Sequence, residues 1–124
     1  MASVEEFLAV KNIAVVGASD NPDKYGYKIY RNLKSRGYNV YPVNNKSQTV
    51  DGDKVYQSID ELPPDVEAVD IVVPPQAATK VIQECANKGI NLIWLQPGAE
   101  SPQNLKLGKE LGLSIIHSTC VMLF

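Results

Sequence analysis

The hydrophobic positions of this chain fall into short apolar runs separated by polar and glycine-rich segments. The run Ile13-Ala14-Val15-Val16 shows no alternation of polar and apolar residues. This is typical of a parallel strand that is covered on both faces, with a buried helix segment as the alternative. The apolar runs predict main strands at residues 13–16, 38–43, 68–73, 90–96 and 113–116.

Between these runs, apolar residues recur at helical spacing. The pattern predicts helices at residues 3–9, 27–36, 75–88 and 101–111. Ser3 and Glu6 form a capping-box pair at the first helix, which we expect to cover the sheet. Pro74-Pro75 opens the third helix with a proline at its first position, and Gly89 follows its last residue.

The segment between the second and third strands carries turn signals. Asp51 and Gly52 predict a turn, and residues 54–57 predict a short edge strand. Ser58 with Glu61 predicts the cap of one helical turn.

Strands and helices thus alternate at about 25-residue spacing, which predicts an α/β fold. We expect a doubly wound parallel sheet of five or six strands with helices on both faces. In such sheets, ligands bind beyond the carboxyl ends of the strands, where the strand order reverses. The length of 124 residues fits one domain, 1–124, and 44% hydrophobic content is enough for its core.

Charge and composition exclude several classes of partner. A net charge of −2 and a pI near 5.3 provide no basic field for nucleic acid. No apolar run approaches the ~20 residues of a membrane-spanning helix. The N-terminal residues lack the basic and apolar regions of a signal peptide. We therefore expect a cytoplasmic protein with no nucleic-acid or membrane partner.

The loop after the first strand carries the strongest candidate chemistry. Gly17 allows a tight turn whose backbone N–H groups face a ligand, and Ser19 adds a hydroxyl. A helix that begins near Gly26 directs its positive end at the same place, where anions bind. The full dinucleotide motif has glycines at the positions of Ser19 and Pro22, so the match is partial. A glycine turn that merely connects strand and helix is the alternative.

The loop after the second strand indicates the kind of ligand. NAD-binding proteins place Asp or Glu there to hold the ribose hydroxyls, whereas this chain has Asn44-Asn45-Lys46. An ammonium group suits a phosphate on the adenosine ribose, as in coenzyme A or NADP. A solvated Lys46 is one alternative. In the first loop, the alternative is an ion pair of Lys24 with Asp20 or Asp23.

Five segments occur in a characteristic order: Gly17-Ala18-Ser19 with Pro22, Lys24 and Gly26; Pro42-Val43-Asn44 with Lys46; Val73-Pro74; Trp94-Leu95-Gln96-Pro97-Gly98; and Cys120. Together they resemble the small stand-alone CoA-binding proteins of bacteria and archaea. Those proteins are similar to the N-terminal domain of the succinyl-CoA synthetase alpha subunit. The resemblance covers nearly the whole chain.

The resemblance implies a Rossmann-like fold with coenzyme A as the small-molecule ligand. The candidate cofactor-binding residues are Gly17, Ala18, Ser19, Pro22, Lys24, Tyr25, Gly26, Asn44, Lys46, Val73, Pro74, Gln96, Pro97 and Gly98. Of these, the resemblance places Gly17, Ser19, Lys24 and Gly26 near the phosphates and Lys46 near the phospho-adenosine. It places Val73, Pro74, Gln96 and Pro97 along the pantetheine arm.

The chain also departs from that family. Asn45 stands where the family often has proline, and the sequence stops at Phe124, where many relatives continue with an acidic residue and a basic tail. Contacts made by that tail are therefore in question. The synthetase carries its phosphohistidine in a second domain, which this sequence does not contain. We expect binding to carry over and the ligase reaction not to.

Other reactive side chains give little support for a catalytic or metal site. Cys85 and Cys120 lie far apart and His117 is the single histidine, which leaves too few ligands for zinc. Cys85 lies on the apolar stripe of its helix, and Trp94 lies within a strand, so both are predicted in the core. Stacking of Trp94 on an adenine is the alternative. His117 and Cys120 leave open a Cys–His pair, and Cys120 leaves open a disulfide with CoA.

The sequence thus favours a non-catalytic protein that binds CoA or an acyl-CoA. One alternative is an NADP-binding oxidoreductase or redox-sensing fragment. Another is a regulatory subunit that completes an acyl-CoA ligase made with another chain. A protein partner or a homo-oligomer stays open, because the sequence indicates no interface.

Overall fold

A computed structural model describes residues 4–46 and 48–124. Within them, five parallel strands form one sheet, and two short antiparallel strands form a hairpin. The strands are β1 (Asn12–Val16), β2 (Asn39–Val43), β3 (Thr49–Val50), β4 (Asp53–Lys54), β5 (Ala68–Ile71), β6 (Leu92–Leu95) and β7 (Ser114–Ile116). The helices are α1 (Val4–Leu8), α2 (Tyr25–Ser35), α3 (Pro75–Lys88) and α4 (Pro102–Glu110), with 3₁₀ turns at Ile59–Glu61 and Val121–Leu123.

The main sheet has the strand order β2-β1-β5-β6-β7. Ile13 of β1 pairs with Val40 of β2 on one side and with Ala68 of β5 on the other. The chain therefore builds outward from β1 to β2 in one direction and from β5 to β7 in the other. The predicted doubly wound α/β fold is confirmed, and its strand order reverses between β1 and β5.

Helices cover both faces of the sheet, and each face has its own core. Successive strand residues point to opposite faces. Val16 accordingly packs with Ile82 in the core beside α3, and Val15 packs with Leu33 in the core beside α2. Cys85 lies in the first core with no exposed surface, which confirms its predicted packing role. Burial raises the pKa of its thiol to about 12.

Trp94 occupies the other core and has no exposed surface. Its ring packs edge-to-face against Phe7 of α1 with centroids 5.1 Å apart, and its Nε1–H donates to the carbonyl oxygen of Thr119 at 2.9 Å. The predicted core position is confirmed, as is the expectation that α1 covers the sheet. A ring buried in this way cannot stack on a bound adenine.

The helix ends follow local signals in the sequence. Ser101 Oγ accepts a hydrogen bond from the backbone N–H of Asn104 at the start of α4, and α3 ends at Gly89 with φ of +82°. α2 begins at Tyr25, earlier than predicted. The predicted Ser3 cap lies outside the described residues. None of the helices in the described part of the chain is both long enough and apolar enough to span a membrane.

The hairpin of β3 and β4 turns at Asp51 and Gly52, as predicted. Both residues have positive φ, +52° and +78°, which suits a two-residue hairpin turn. Lys34 of α2 bonds to the carboxylates of Asp51 and Asp53, at 3.1 and 2.5 Å. The lysine lowers the pKa of both carboxyl groups. These contacts hold the hairpin against α2.

Two predictions for the segment after this turn are wrong in detail. The expected edge strand at 54–57 is reduced to Lys54 in β4 and one isolated bridge between Tyr56 and Val43. Ser58 makes no capping bond with its side chain. The Glu61 carboxylate instead accepts a hydrogen bond from the backbone N–H of residue 57 at 3.3 Å. The helical turn here is 3₁₀ and too short for a full capping box.

Candidate functional site

A cavity of about 700 Å³ opens at the carboxyl ends of β2, β1 and β5. The strand order reverses at this edge, where doubly wound sheets bind ligands. The volume lies in the ~300–1,000 Å³ range of small-molecule sites. Most of the predicted residues line it: Gly17, Ala18, Ser19, Lys24, Tyr25, Gly26, Asn44, Lys46, Val73 and Pro74.

The turn after β1 and the start of α2 touch through their backbones. Gly17 has φ of +95°, and a Cβ atom there would lie 2.4 Å from the carbonyl oxygen of Val72. A Cβ atom on Gly26 would lie 1.9 Å from the carbonyl oxygen of Gly17. Neither position accommodates a side chain without a backbone shift. The two glycines therefore bring the positive end of α2 to the wall of the cavity.

The N-terminus of α2 is open towards the cavity. Lys24 is the N-cap residue, and its side chain makes no capping bond. The first N–H groups of an α-helix have no partner inside the helix. They are therefore able to donate to an anionic ligand, as helix N-termini commonly do.

Hydrogen bonds within the loops after β1 and β2 determine where the acids of these loops point. Asp20 accepts from the backbone N–H of Asp51 at 2.7 Å, so its carboxylate faces the hairpin turn. Asn44 Nδ2 donates to the carbonyl oxygen of Ala18 at 2.7 Å and ties the loop after β2 to the loop after β1. Lys24 forms no ion pair with the acids of the described residues. The alternative pairing of Lys24 with Asp20 or Asp23 is not formed.

The charged residues of the cavity wall are predominantly basic. Lys24, Lys46 and Lys80 line it, and Glu84 is the one acid among the described lining residues. Lys80 and Glu84 lie on α3, and the sequence reasoning missed both. The sequence pattern that could have indicated them is the predicted helix directly after β5. Residues 76, 77, 80 and 84 lie on one face of this helix, and that face meets the same edge of the sheet. Such a wall suits a ligand with several phosphate groups.

Comparison with known proteins identifies the family. The model of the CoA-binding domain family matches residues 11–124 of this chain. The chain belongs to the CoA-binding domain family.

Relatives of this CoA-binding domain occur both alone and within larger proteins. It is 34% identical to the alpha subunit of an ADP-forming acetate–CoA ligase of Pyrococcus furiosus, over 95% of this chain but only 28% of that subunit. It is 27% identical to the uncharacterized protein YneT of Bacillus subtilis, over 97% of this chain and 90% of YneT. A solved hypothetical protein of Pyrococcus horikoshii superimposes with a TM-score of 0.91 at 34% identity, over 97% and 85% of the two chains.

Two predicted residues of this CoA-binding domain lie away from the cavity wall. Pro22 is exposed in the first loop. Gln96 has no exposed surface, and its side chain bonds inside the protein, to Asp70 at 2.8 Å and to the backbone N–H of Val121 at 3.3 Å. Their contacts with a ligand stay predictions.

Pro97 and Gly98 line a second, smaller cavity of about 230 Å³. It borders the first cavity, and the two share Tyr25, Val72, Val73 and Pro74 as wall residues. The other twelve predicted residues therefore follow one continuous surface from β2 across the sheet to β6.

Asp70 is a buried acid that the sequence reasoning missed. It lies in β5 with no exposed surface, and one of its two carboxylate oxygens, Oδ2, has no hydrogen-bond partner. Burial raises the pKa of Asp70 to about 7, although the hydrogen bond from Gln96 acts in the opposite direction. The signal in the sequence was a single acid inside the apolar run 68–73.

The Cys–His pair that the sequence left open does not form. Cys120 Sγ lies 2.6 Å from the hydroxyl of Tyr25, whereas His117 Nδ1 lies 2.8 Å from Ser118 Oγ. The hydrogen bond with Cys120 raises the pKa of Tyr25 to about 12. A disulfide between Cys120 and CoA stays an untested alternative; the thiol is buried and bonds to Tyr25. The described residues also contain no cluster of side chains that suits a metal ion.

Proposed function

We propose that this CoA-binding domain binds coenzyme A or an acyl-CoA in the larger cavity, without catalysing a reaction. The observation that carries the proposal is the cavity at the point where the strand order reverses. There, a glycine turn, an open helix N-terminus and three lysines meet. The membership of the CoA-binding domain family supports the same ligand.

The chemistry of coenzyme A matches the order of these groups. Its diphosphate suits the turn at Gly17 and the N-terminus of α2, beside the ammonium group of Lys24. Its ribose phosphate suits Lys46, which follows β2 and whose side chain lines the same cavity. The pantetheine arm then follows the apolar surface of Val73 and Pro74. The domain supplies binding groups for every charged part of the ligand.

A role as one subunit of an acyl-CoA ligase is the second candidate. It is favoured by the likeness to the alpha subunit of an acetate–CoA ligase, of which this chain spans 28%. In that role the domain would hold CoA for a reaction that another chain completes. Co-purification of an ATP-grasp protein with this chain would support it. The cytoplasmic location stays a prediction.

Thermal unfolding with a panel of ligands tests the proposal. CoA, acetyl-CoA, NADP, NAD and ATP are added in parallel at equal concentration. A ligand at a hundredfold excess over its dissociation constant stabilises the folded state by ~2.7 kcal/mol, which raises the midpoint by roughly 10 °C for a domain of this size. We expect CoA and acetyl-CoA to raise it and NAD and ATP to leave it nearly unchanged. A rise with NADP but none with CoA would replace the proposal with the oxidoreductase alternative.

A further inference from the structure

The smaller cavity adjoins the proposed CoA site, and its chemistry is different. Four residues belong to both walls: Tyr25, Val72, Val73 and Pro74. The smaller cavity adds Pro97, Gly98 and Ala99, which follow β6. A ligand that reaches Pro74 from the larger cavity therefore enters the smaller one directly.

The order of the strands determines which end of the ligand arrives there. Lys46 follows β2, the glycine turn follows β1, Pro74 follows β5 and Pro97 follows β6, and these strands are neighbours in that order. A ligand whose ribose phosphate lies at β2 and whose diphosphate lies at β1 extends its arm across β5. Its thiol end, with any acyl group that it carries, then lies over the residues after β6.

The wall of the smaller cavity is uncharged. Its described lining consists of valine, proline, glycine and alanine residues and the ring of Tyr25. The Tyr25 hydroxyl is occupied by Cys120 at 2.6 Å. The nearest acid along the chain is Glu100, whose carboxylate accepts from the backbone N–H of Ser118 at 2.7 Å. A negatively charged acyl group would gain no cation from these residues, whereas an uncharged one would cover apolar surface.

We propose that the smaller cavity is an acyl subsite that selects CoA thioesters with a short, uncharged acyl group over free CoA and over dicarboxylic acyl-CoA. The inference rests on the proposed function of the larger cavity. The smaller cavity has a volume of about 230 Å³. This is below the ~300 Å³ at which sites for whole ligands begin, so the smaller cavity fits only a part of a ligand. Tyr25 is 40% exposed, one of the few large apolar side chains at the described surface. An acyl chain in this subsite covers its ring.

Titration calorimetry with four ligands tests the selection: CoA, acetyl-CoA, butyryl-CoA and succinyl-CoA. Butyryl and succinyl groups have the same number of carbon atoms and differ in the terminal methyl or carboxylate. Each fully buried methylene adds roughly fourfold in affinity. We expect affinity to rise from CoA through acetyl-CoA to butyryl-CoA, and butyryl-CoA to bind about tenfold more tightly than succinyl-CoA.

A charge placed in the subsite tests its position. Pro97 is exposed and lines only the smaller of the two cavities. Pro97→Lys should raise the affinity for succinyl-CoA relative to butyryl-CoA by about twofold to fivefold, the range of an exposed ion pair. Gln103→Lys, at an exposed position of α4 outside both cavities, is the matched control and should leave that ratio unchanged.

The outcomes separate this inference from the proposed function. If none of the CoA ligands binds, the proposed function itself fails. If CoA binds but butyryl-CoA binds no more tightly, or if succinyl-CoA binds as tightly as butyryl-CoA, only the acyl subsite is overturned. Equal changes of the ratio in Pro97→Lys and Gln103→Lys would also overturn it, because the effect would then not depend on the place of the charge.

Discussion

Lys46 differs from the other lysines of the cavity in its position along the sheet. It follows β2, an edge strand, whereas Lys24 precedes α2 and Lys80 lies on α3. Its backbone N–H donates to Asn44 Oδ1 at 2.9 Å, which shapes the loop that presents its side chain. In the proposed binding mode, this lysine meets the phosphate on the ribose, at the end of the ligand away from the thiol.

Replacement of Lys46 by alanine should weaken the binding of CoA more than the binding of dephospho-CoA. We expect a loss of about fivefold for CoA, the upper range for an exposed charge pair, and little change for dephospho-CoA. Titration calorimetry of both ligands measures the difference. Lys106→Ala, at an exposed position of α4, is the control. Equal losses for the two ligands would show that Lys46 does not meet the ribose phosphate.

Asp70 has a different role, because it influences stability through its protonation. Its carboxyl group is fully buried opposite Trp94 of β6, and its pKa is raised to about 7. In the unfolded chain an aspartate titrates near ~3.9. Between these values the folded state holds a proton that the unfolded state has lost. The contribution of Asp70 to stability is therefore complete below about pH 4 and declines as pH rises to about 7.

Replacement of Asp70 by asparagine should remove this decline. The pKa difference corresponds to on the order of 4 kcal/mol between pH 4 and pH 8. The free energy of unfolding of the variant should therefore rise by about that much relative to wild type as the pH increases from 4 to 8. Urea unfolding at several pH values measures it. Asp51, Asp53 and Glu67 have lowered pKa values, so their contributions to the pH dependence of stability have the opposite sign. These contributions are the same in both proteins and cancel in the comparison.

Asp60→Asn, at an exposed position, is the control for this experiment and should keep the pH dependence of the wild type. Parallel curves for wild type and Asp70→Asn would show that Asp70 is ionised throughout this range in the folded protein.

At the scale of elements, the contact between α2 and the turn after β1 shapes the site. The helix approaches the turn so closely that a Cβ atom on Gly26 would meet the carbonyl oxygen of Gly17. Backbone groups on both sides leave no flexible side chain to move. The position of α2, and with it the orientation of its N–H groups, depends on this one missing methyl group.

Gly26→Ala should therefore reduce both stability and CoA binding. We expect a loss of at least ~1–3 kcal/mol in the free energy of unfolding, as in overpacked sites. Gly108→Ala is the matched control within α4, where the Cβ atom would lie 2.0 Å from Cδ1 of Ile115, the end of a flexible side chain. Urea unfolding and calorimetry measure both variants. If Gly108→Ala weakens CoA binding as much as Gly26→Ala does, the contact does not shape the site.

At the scale of the whole molecule, the strand order gathers residues that are far apart in sequence. The segments after β1, β2 and β5 meet because these strands are neighbours in the sheet. The edge at β7 and α4 lies two strands away from β5. A ligand in the larger cavity consequently touches one half of the sheet edge and leaves the other half free.

Hydrogen exchange with and without CoA should show this asymmetry. We expect slower exchange at residues 17–26, 44–46 and 72–84, because a bound ligand occupies their N–H groups or restricts their opening. Exchange in α4 should not change and provides the internal reference. Protection centred on α4 and β7 would place the ligand at the other edge of the sheet.

Much of this arrangement could be predicted from the sequence, because its signals are local. Pro74-Pro75 and Gly89 mark the ends of α3, and the apolar runs predict buried parallel strands. The first and second loops were assigned to the site because carboxyl ends of parallel strands share an edge. The signals were wrong in detail at 54–58: the edge strand is reduced to Lys54 and one bridge at Tyr56, and Ser58 does not cap the 3₁₀ turn, because segments this short show no period.

Sequence alone determined the class of fold, the order of the main strands and helices along the chain and the loops that line the cavity, because glycine, proline and apolar runs act on neighbouring residues. Only the tertiary structure decided which residues meet. Lys80 faces the cavity because α3 packs beside β5, and Gln96 turns inward because Asp70 lies on the adjacent strand. Both depend on contacts between segments that are distant in the chain, and such contacts leave no periodic trace in it.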